Sequence, residues 1–300
     1  MSNHGSFGAR STADDVLEGV NLAGKTVLVT GCRTGIGFET MRSLASRGAH
    51  VIGMARSLAT AREACAKVPG GTTPIACDLA DLSSVGKAAD AITALDRPLD
   101  AIITNAGIMC PKSLTVKYGV ELQLLVNHVA NFLLVDQLLD LVPDSTGRIV
   151  VVSSSASVDQ APKEGIMFDN LDGSRFYKPF AFYGQSKLAA ALYAEELSAR
   201  LAPRGIAVNS LHPGAVGGTG LQRSLGFPLS LIMPVASLFM KSIPQGAATQ
   251  AFLAANPQAK GISGKYWANC EIAKGSRYLG DAAMRTRLWD VTEKVVAPYR

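Results

Sequence analysis

The chain has 300 residues, 48% of them hydrophobic and 18% charged, with a formal net charge of +5. That is enough apolar material for one large α/β domain or two small ones, and because the Lys and Arg residues are spread along the chain, they exclude the clustered basic footprint of a nucleic-acid binder. The five cysteines, Cys32, Cys65, Cys77, Cys110 and Cys270, are odd in number and lack metal-ligand spacing, so reduced thiols in a cytosol are expected rather than a disulfide framework or a zinc site.

Residues 1–21 read as a polar, mobile lead-in with a short helix near Ala13–Gly19 and no apolar core of a signal peptide. Lys25–Thr30 is a β-branched apolar run, the mark of a buried parallel strand. It opens into Gly31-Cys-Arg-Thr-Gly35-Ile-Gly37; a helix to Arg47, ended by Gly48, and a second strand, His50–Ala55, follow. Strand, glycine-rich turn, helix and strand in succession give such glycines a dinucleotide meaning. Gly31 permits the turn, while Gly35 and Gly37 let backbone and helix N-terminus approach a pyrophosphate. The second strand ends Gly53-Met-Ala-Arg56-Ser57, without an acid for a ribose 2′-OH. Arg56, with Arg33 as a second cation, suits a 2′-phosphate, so NADP(H) is expected over NAD(H).

The alternation continues. Ser57–Lys67 reads as a helix, Thr73–Cys77 as a strand running into Asp78-Leu79, and Ser83–Leu95 as a helix. Leu99–Thr104 is a strand followed by Asn105-Ala106-Gly107, and Leu114–Leu141 a long helical stretch with Asn127 in its apolar stripe. Arg148–Ser153 is a buried strand closing on three serines, and Phe182–Leu201 a helix that carries Tyr183-Gly-Gln-Ser-Lys187. Residues four apart share a helix face. A free phenol, with a pKa near ~10, is a poor base at neutral pH; a neighbouring ammonium lowers that value, and a phenol so tuned exchanges a proton with a carbonyl or alcohol oxygen. Ile206–Leu211 is a strand ending in His212-Pro213-Gly214-Ala-Val216. Leu225–Met240 is apolar but contains Pro228 and Pro234 and falls short of the ~20 residues a membrane span needs. Residues 218–243 are expected to form an apolar lid over a bulky lipophilic substrate or, equally, a subunit contact. Gln245–Ala255 reads as a helix, Gly264–Ala268 as a last edge strand and Ala282–Val296 as a closing helix.

The Thr-Gly-x-x-x-Gly-x-Gly spacing of Thr30–Gly37, together with Tyr183 and Lys187, resembles the short-chain dehydrogenases/reductases, and the resemblance runs over about residues 21–297. It implies one doubly wound Rossmann-type α/β domain over residues 22–300, with a mostly parallel sheet and helices on both faces. It implies a catalytic set of Asn127, Ser154, Tyr183 and Lys187, with Asn127 holding a relay water and Lys187 the nicotinamide ribose; Ser155 leaves the serine open by one position. The implied cofactor contacts are Gly31, Arg33, Thr34, Gly35, Ile36, Gly37, Arg56, Asp78, Leu79, Asn105, Ala106, Gly107, Tyr183, Lys187, Pro213, Gly214 and Val216. In the loop after Pro213-Gly214, Gly218 stands where the family has a threonine, and Thr219 comes one residue late. The spacing of 29 residues from Ser154 to Tyr183 is similar to the branch of retinol dehydrogenases and the WW-domain oxidoreductase. The implied protein is a cytoplasmic homodimer or homotetramer, paired through the helices beginning near Leu114 and Phe182, that binds no metal and transfers a hydride between nicotinamide and a lipophilic carbonyl or alcohol. Two other classes share this frame: a cofactor-binding regulator or scaffold with little turnover, and a nucleotide-sugar epimerase or light-dependent pigment reductase.

Overall fold

The computed structural model describes residues 7–218 and 240–300. Its centre is an eight-stranded sheet in the order β10-β9-β8-β7-β4-β1-β2-β3. The strands are β1 (Thr26–Thr30), β2 (His50–Ala55), β3 (Thr72–Ala76), β4 (Ala101–Thr104), β7 (Arg148–Val152), β8 (Ala207–Leu211), β9 (Tyr266–Ala268) and β10 (Glu271–Ile272). Every pairing is parallel except that of β10 with β9. β1, β4 and β8 are buried at every position, as strands covered on both faces must be. The strand order reverses between β1 and β4, so the crevice that takes ligands in such sheets opens at their carboxyl ends.

The helices are α1 (Ala13–Val16), α2 (Gly35–Ser46), α3 (Leu58–Cys65) and α4 (Leu82–Thr93), then α5 (Leu122–Leu141), α6 (Ala156–Asp159), α7 (Pro179–Leu201), α8 (Ile243–Ala255) and α9 (Ala282–Val296). α5 contains a π turn at Leu125–Val129. It is long and apolar enough to cross a membrane, yet 78% of that window is buried inside the protein, which makes it a core helix of this fold.

Four expectations change. The described part of the lead-in is docked rather than mobile. Thr12 and Asp15 form a capping box, Ala13, Val16 and Leu17 are fully buried, and Asn256 donates to the Val16 carbonyl at 2.7 Å. The expected helix start at Leu114 is instead a small hairpin of β5 (Val116–Lys117) and β6 (Val120–Glu121). Its turn residues Tyr118 and Gly119 have φ of +54° and +75°, the left-handed geometry that matches strand twist in two-residue hairpins. β9 is not the edge, because Asn269 and Cys270, also at positive φ, turn the chain back so that β10 pairs outside it.

The fourth change concerns the subunit-pairing faces expected on α5 and α7, which α9 covers. Trp289 packs 4.7 Å from the Phe132 ring and 6.0 Å from that of Tyr193, and the Arg200 guanidinium lies 4.0 Å over its indole. Thr292 meets His128 at 2.9 Å, Arg285 pairs with Glu195 and Glu196, and Arg300 pairs with Asp136 at 2.8 Å. Pairing through these faces would require α9 to leave, so the proposed dimer or tetramer needs another surface. His128 is buried and pushed down to about 3 by burial alone; it is a neutral core residue.

Candidate active site and dinucleotide cleft

The turn from β1 into α2 forms the cradle. Gly31 and Gly35 have φ of +74° and +64°, a region that favours glycine. A Cβ on Gly31 would lie 3.0 Å from the Ala106 Cα. On Gly37 it would lie 2.4 Å from both the Gly31 carbonyl and the Asn105 amide nitrogen. Gly37 therefore seats the helix on the turn. The Asn105 side chain donates to the Thr30 carbonyl at 2.8 Å, and Thr30 Oγ1 accepts from the Ala106 N–H at 2.9 Å, so the turns after β1 and β4 are tied together. Thr34 is the N-cap of α2 but makes no side-chain capping bond; the first-turn N–H groups and the helix dipole then favour an anion there. These features fit the diphosphate of a dinucleotide.

Arg33 and Arg56 are both exposed, at the ends of β1 and β2. Ser57, next to Arg56, caps α3. Asp78 accepts from the Ala80 N–H at 3.0 Å, and Leu79 is buried beside it. Ile36 and Val216 converge on Gly246, where a Cβ would lie 3.3 and 2.7 Å from their side chains.

Lys187 is buried, and its ammonium donates to the Val152 carbonyl at 2.9 Å. A Cβ on Gly107 would lie 2.9 Å from Asn127 Oδ1 and 3.3 Å from Lys187 Nζ, so these three residues meet, and only glycine fits between them. Asn127 accepts from the Ile108 N–H at 2.8 Å and donates to the Ile108 carbonyl at 3.0 Å and to Ser186 Oγ at 2.8 Å. Its amide is thus spent on holding the loop after β4 and the tyrosine helix.

Tyr183 is 7% exposed and packs with Cys110 and Ala156. Its phenol is raised above the usual range by burial first and by the Cys110 thiol; a hydrogen bond with Ser154 opposes this. Ser154, not Ser155, is therefore the serine beside the phenol; Ser155 is exposed at the start of α6. The expectation that Lys187 sets the phenol low is not what the protein groups produce. The ammonium is turned toward Val152, and burial pushes it down to about 8. Burial dominates both groups.

The short chain dehydrogenase family model matches residues 25–166. Short-chain dehydrogenase TIC 32 B, chloroplastic, of Brassica napus is 37% identical over 97% of this chain and 94% of its own length. Human retinol dehydrogenase 14 is 37% identical over 91% of this chain and 86% of its own. The solved structure of a short chain dehydrogenase from Burkholderia cenocepacia in complex with NADP superposes with a TM-score of 0.65 at 26% identity, covering 82% of this chain and 96% of that one. The chain belongs to the short-chain dehydrogenase/reductase family. It is a family oxidoreductase with a Rossmann-like sheet, and the human relative falls in the branch suggested by the long Ser154–Tyr183 spacing.

Seen as a short-chain dehydrogenase/reductase, the protein brings Asn127, Ser154, Tyr183 and Lys187 together at the carboxyl edge of the sheet. Pro213, Gly214 and Val216 close one side of that edge after β8, and Arg33 and Arg56 lie at its far end. The expected lid at 218–243 falls outside the described residues except for Gly218 and Met240–Ile243. Among the described residues no group of three or more His, Cys, Asp or Glu could hold a metal.

Several positioning residues were not singled out by sequence. Ser186 donates to the Tyr183 carbonyl at 2.8 Å, Ser153 to the Lys187 carbonyl at 2.6 Å, and Tyr266 to the Ser154 carbonyl at 3.1 Å. A Cβ on Gly184 would stand 2.4 Å from the Gln160 carbonyl carbon; this glycine lets α7 close onto the Ser154 segment. It had a signal: a glycine inside a helix costs about 1 kcal/mol against Ala and calls for a packing reason.

Proposed function

We propose that the protein is an NADP(H)-preferring oxidoreductase that interconverts a carbonyl and an alcohol on a bulky lipophilic substrate. The observation that carries this reading is the buried Tyr183–Ser154 pair beside Lys187, Asn127 and Gly107, on the same sheet edge as the uncapped α2 turn. The α2 turn would hold the diphosphate, Arg56 and Arg33 the 2′-phosphate, and Asp78 and Leu79 the adenine side. When bound, the dinucleotide supplies or takes up the hydride.

The protein's own part is proton handling. Tyr183, a phenol that is protonated at neutral pH and that burial raises further, gives its proton to the substrate oxygen in reduction and takes it back in oxidation. Ser154 donates to that oxygen and stabilises the charge developing there. Lys187 supplies a nearby positive charge, and Asn127 ties the loop after β4 to the helix that carries Tyr183 and Lys187. The expected NADP(H) preference favours the reductive direction in a reducing cytosol. The apolar sequence at 218–243 supports a lipophilic substrate, as does the retinol in one relative's name. All five cysteines are free, which suits the reducing cytosol proposed for it.

The test is titration of the purified protein with NADPH and NADH, then NADPH oxidation against lipophilic ketones and aldehydes. NADPH is expected to bind more tightly. Arg56→Ala is expected to weaken NADPH about tenfold or more and leave NADH unchanged, since a hydrogen bond to a charged group is worth about 1.5–3 kcal/mol. Equal affinity of the wild-type protein for both cofactors would overturn the NADP preference.

A further inference from the structure

We propose that Lys241 is a cofactor-holding residue whose ammonium serves the diphosphate of the dinucleotide. The proposal rests on the reading that this cleft takes a nicotinamide dinucleotide.

Lys241 is far from Pro213-Gly214 in sequence but is stitched to the same loop. Val216 and Lys241 form a parallel β-bridge. The Lys241 N–H donates to the Ala215 carbonyl at 2.8 Å, and the Lys241 carbonyl accepts from the Gly217 N–H at 3.0 Å. The lysine stem lies flat on Gly214, where a Cβ would meet Lys241 Cδ at 3.0 Å, Cε at 3.2 Å and Cγ at 3.7 Å. Gly214 has φ of +89° and turns the chain at the carboxyl end of β8, the edge where ligands bind in such sheets. The absent side chain of Gly214 is what lets the stem cross.

The electrostatics agree with the placement. Lys241 is half-buried, and burial pushes its ammonium below the usual lysine range. The charged and titratable groups that interact with it are His212, which it pushes down, and the Cys270 thiol. Neither is a carboxylate, and Lys241 enters no ion pair among the described residues. A partly desolvated cation is stabilised by an anionic partner, and a phosphate oxygen is one. Val216, its bridge partner, packs on Gly246, which also touches Ile36 in the first turn of α2. The loop that carries Lys241 thus adjoins the first turn of α2, whose N–H groups form the other arm of the proposed diphosphate site.

The experiment is calorimetric titration of the full-length protein and its Lys241→Met and Lys241→Arg variants with NADPH and with 2′-AMP, which carries the 2′-phosphate and no diphosphate. Methionine keeps the stem over Gly214 and removes the charge. Lys241→Met is expected to bind NADPH about tenfold more weakly and 2′-AMP unchanged, and the wild-type advantage is expected to shrink at high salt. Lys241→Arg is expected to restore most of the NADPH affinity. Undiminished NADPH binding by Lys241→Met would overturn the proposal, as would an equal loss for 2′-AMP, which would mean that the loop and not the charge had changed. A wild-type protein that binds no NADPH would instead overturn the cofactor reading on which the proposal rests.

Discussion

Tyr183→Phe is expected to lower turnover by about 10² to 10⁴-fold, the usual contribution of a positioned general acid–base, while NADPH affinity changes by less than about twofold. The substitution removes one hydroxyl and leaves the ring in its buried place against Cys110 and Ala156. What is lost is the proton donor and the hydrogen bond with Ser154. Both act at the substrate oxygen in the transition state, so kcat and kcat/KM are expected to fall together. Single-turnover kinetics on folded variant protein checks this. Near-normal turnover would show that the proton comes from elsewhere.

Lys187→Met is expected to produce a pH-dependent stability difference of about 3 kcal/mol. Lys187 is buried, and burial pushes its ammonium from the ordinary 10.5 down to about 8. Between these values the native state has released a proton that the unfolded chain still holds. The native state binds fewer protons there, so this group's contribution to stability rises as pH climbs through that window. Below pH ~8 both states are protonated, and burial of the charge is a standing cost of about 3 kcal/mol relative to high pH. The bond to the Val152 carbonyl favours the charged amine, and that preference is already contained in the value of about 8. The stability of Lys187→Met relative to wild type is therefore expected to fall by about 3 kcal/mol between pH 7 and pH 11. Comparing both proteins at each pH cancels the buried thiols and phenols that titrate in the same range. Urea denaturation at the two pH values measures it; a difference independent of pH would mean that the ammonium is solvated.

The parts of this architecture that were legible in sequence are those with a local physical cause. The β-branched runs at β1 and β7 became buried parallel strands because a strand covered on both faces has no polar side to show. α9 was readable to both ends because its amphipathic period is carried by its own residues. Asn127, Ser154, Tyr183 and Lys187 could be placed at one candidate site from sequence because each closes a strand or rides a helix, and the doubly wound order then brings those ends together. What escaped depends on distant partners. Nothing local in Ala13–Val16 reports burial under Asn256, and nothing in α5 says that Trp289 will cover it. The Tyr118–Gly119 turn needed a non-glycine residue at positive φ, which composition does not announce. Ser153 and Ser186 lay between motif positions, and their value is in bonds to backbone carbonyls across the site. The direction of the Tyr183 shift was misjudged because sequence shows that a lysine is near but not that both groups are buried and that the ammonium faces Val152.

The measurement that tests the central claim most directly uses NADPH deuterated on the transferring face of its nicotinamide ring, incubated with the protein and a panel of lipophilic ketones and aldehydes, followed by mass spectrometry of the products. The expected result is an alcohol carrying one deuterium on the former carbonyl carbon with the wild-type protein and almost none with Tyr183→Phe. Tight NADPH binding with no deuterium transferred to any member of a broad panel would contradict the account and leave a cofactor-binding scaffold in its place.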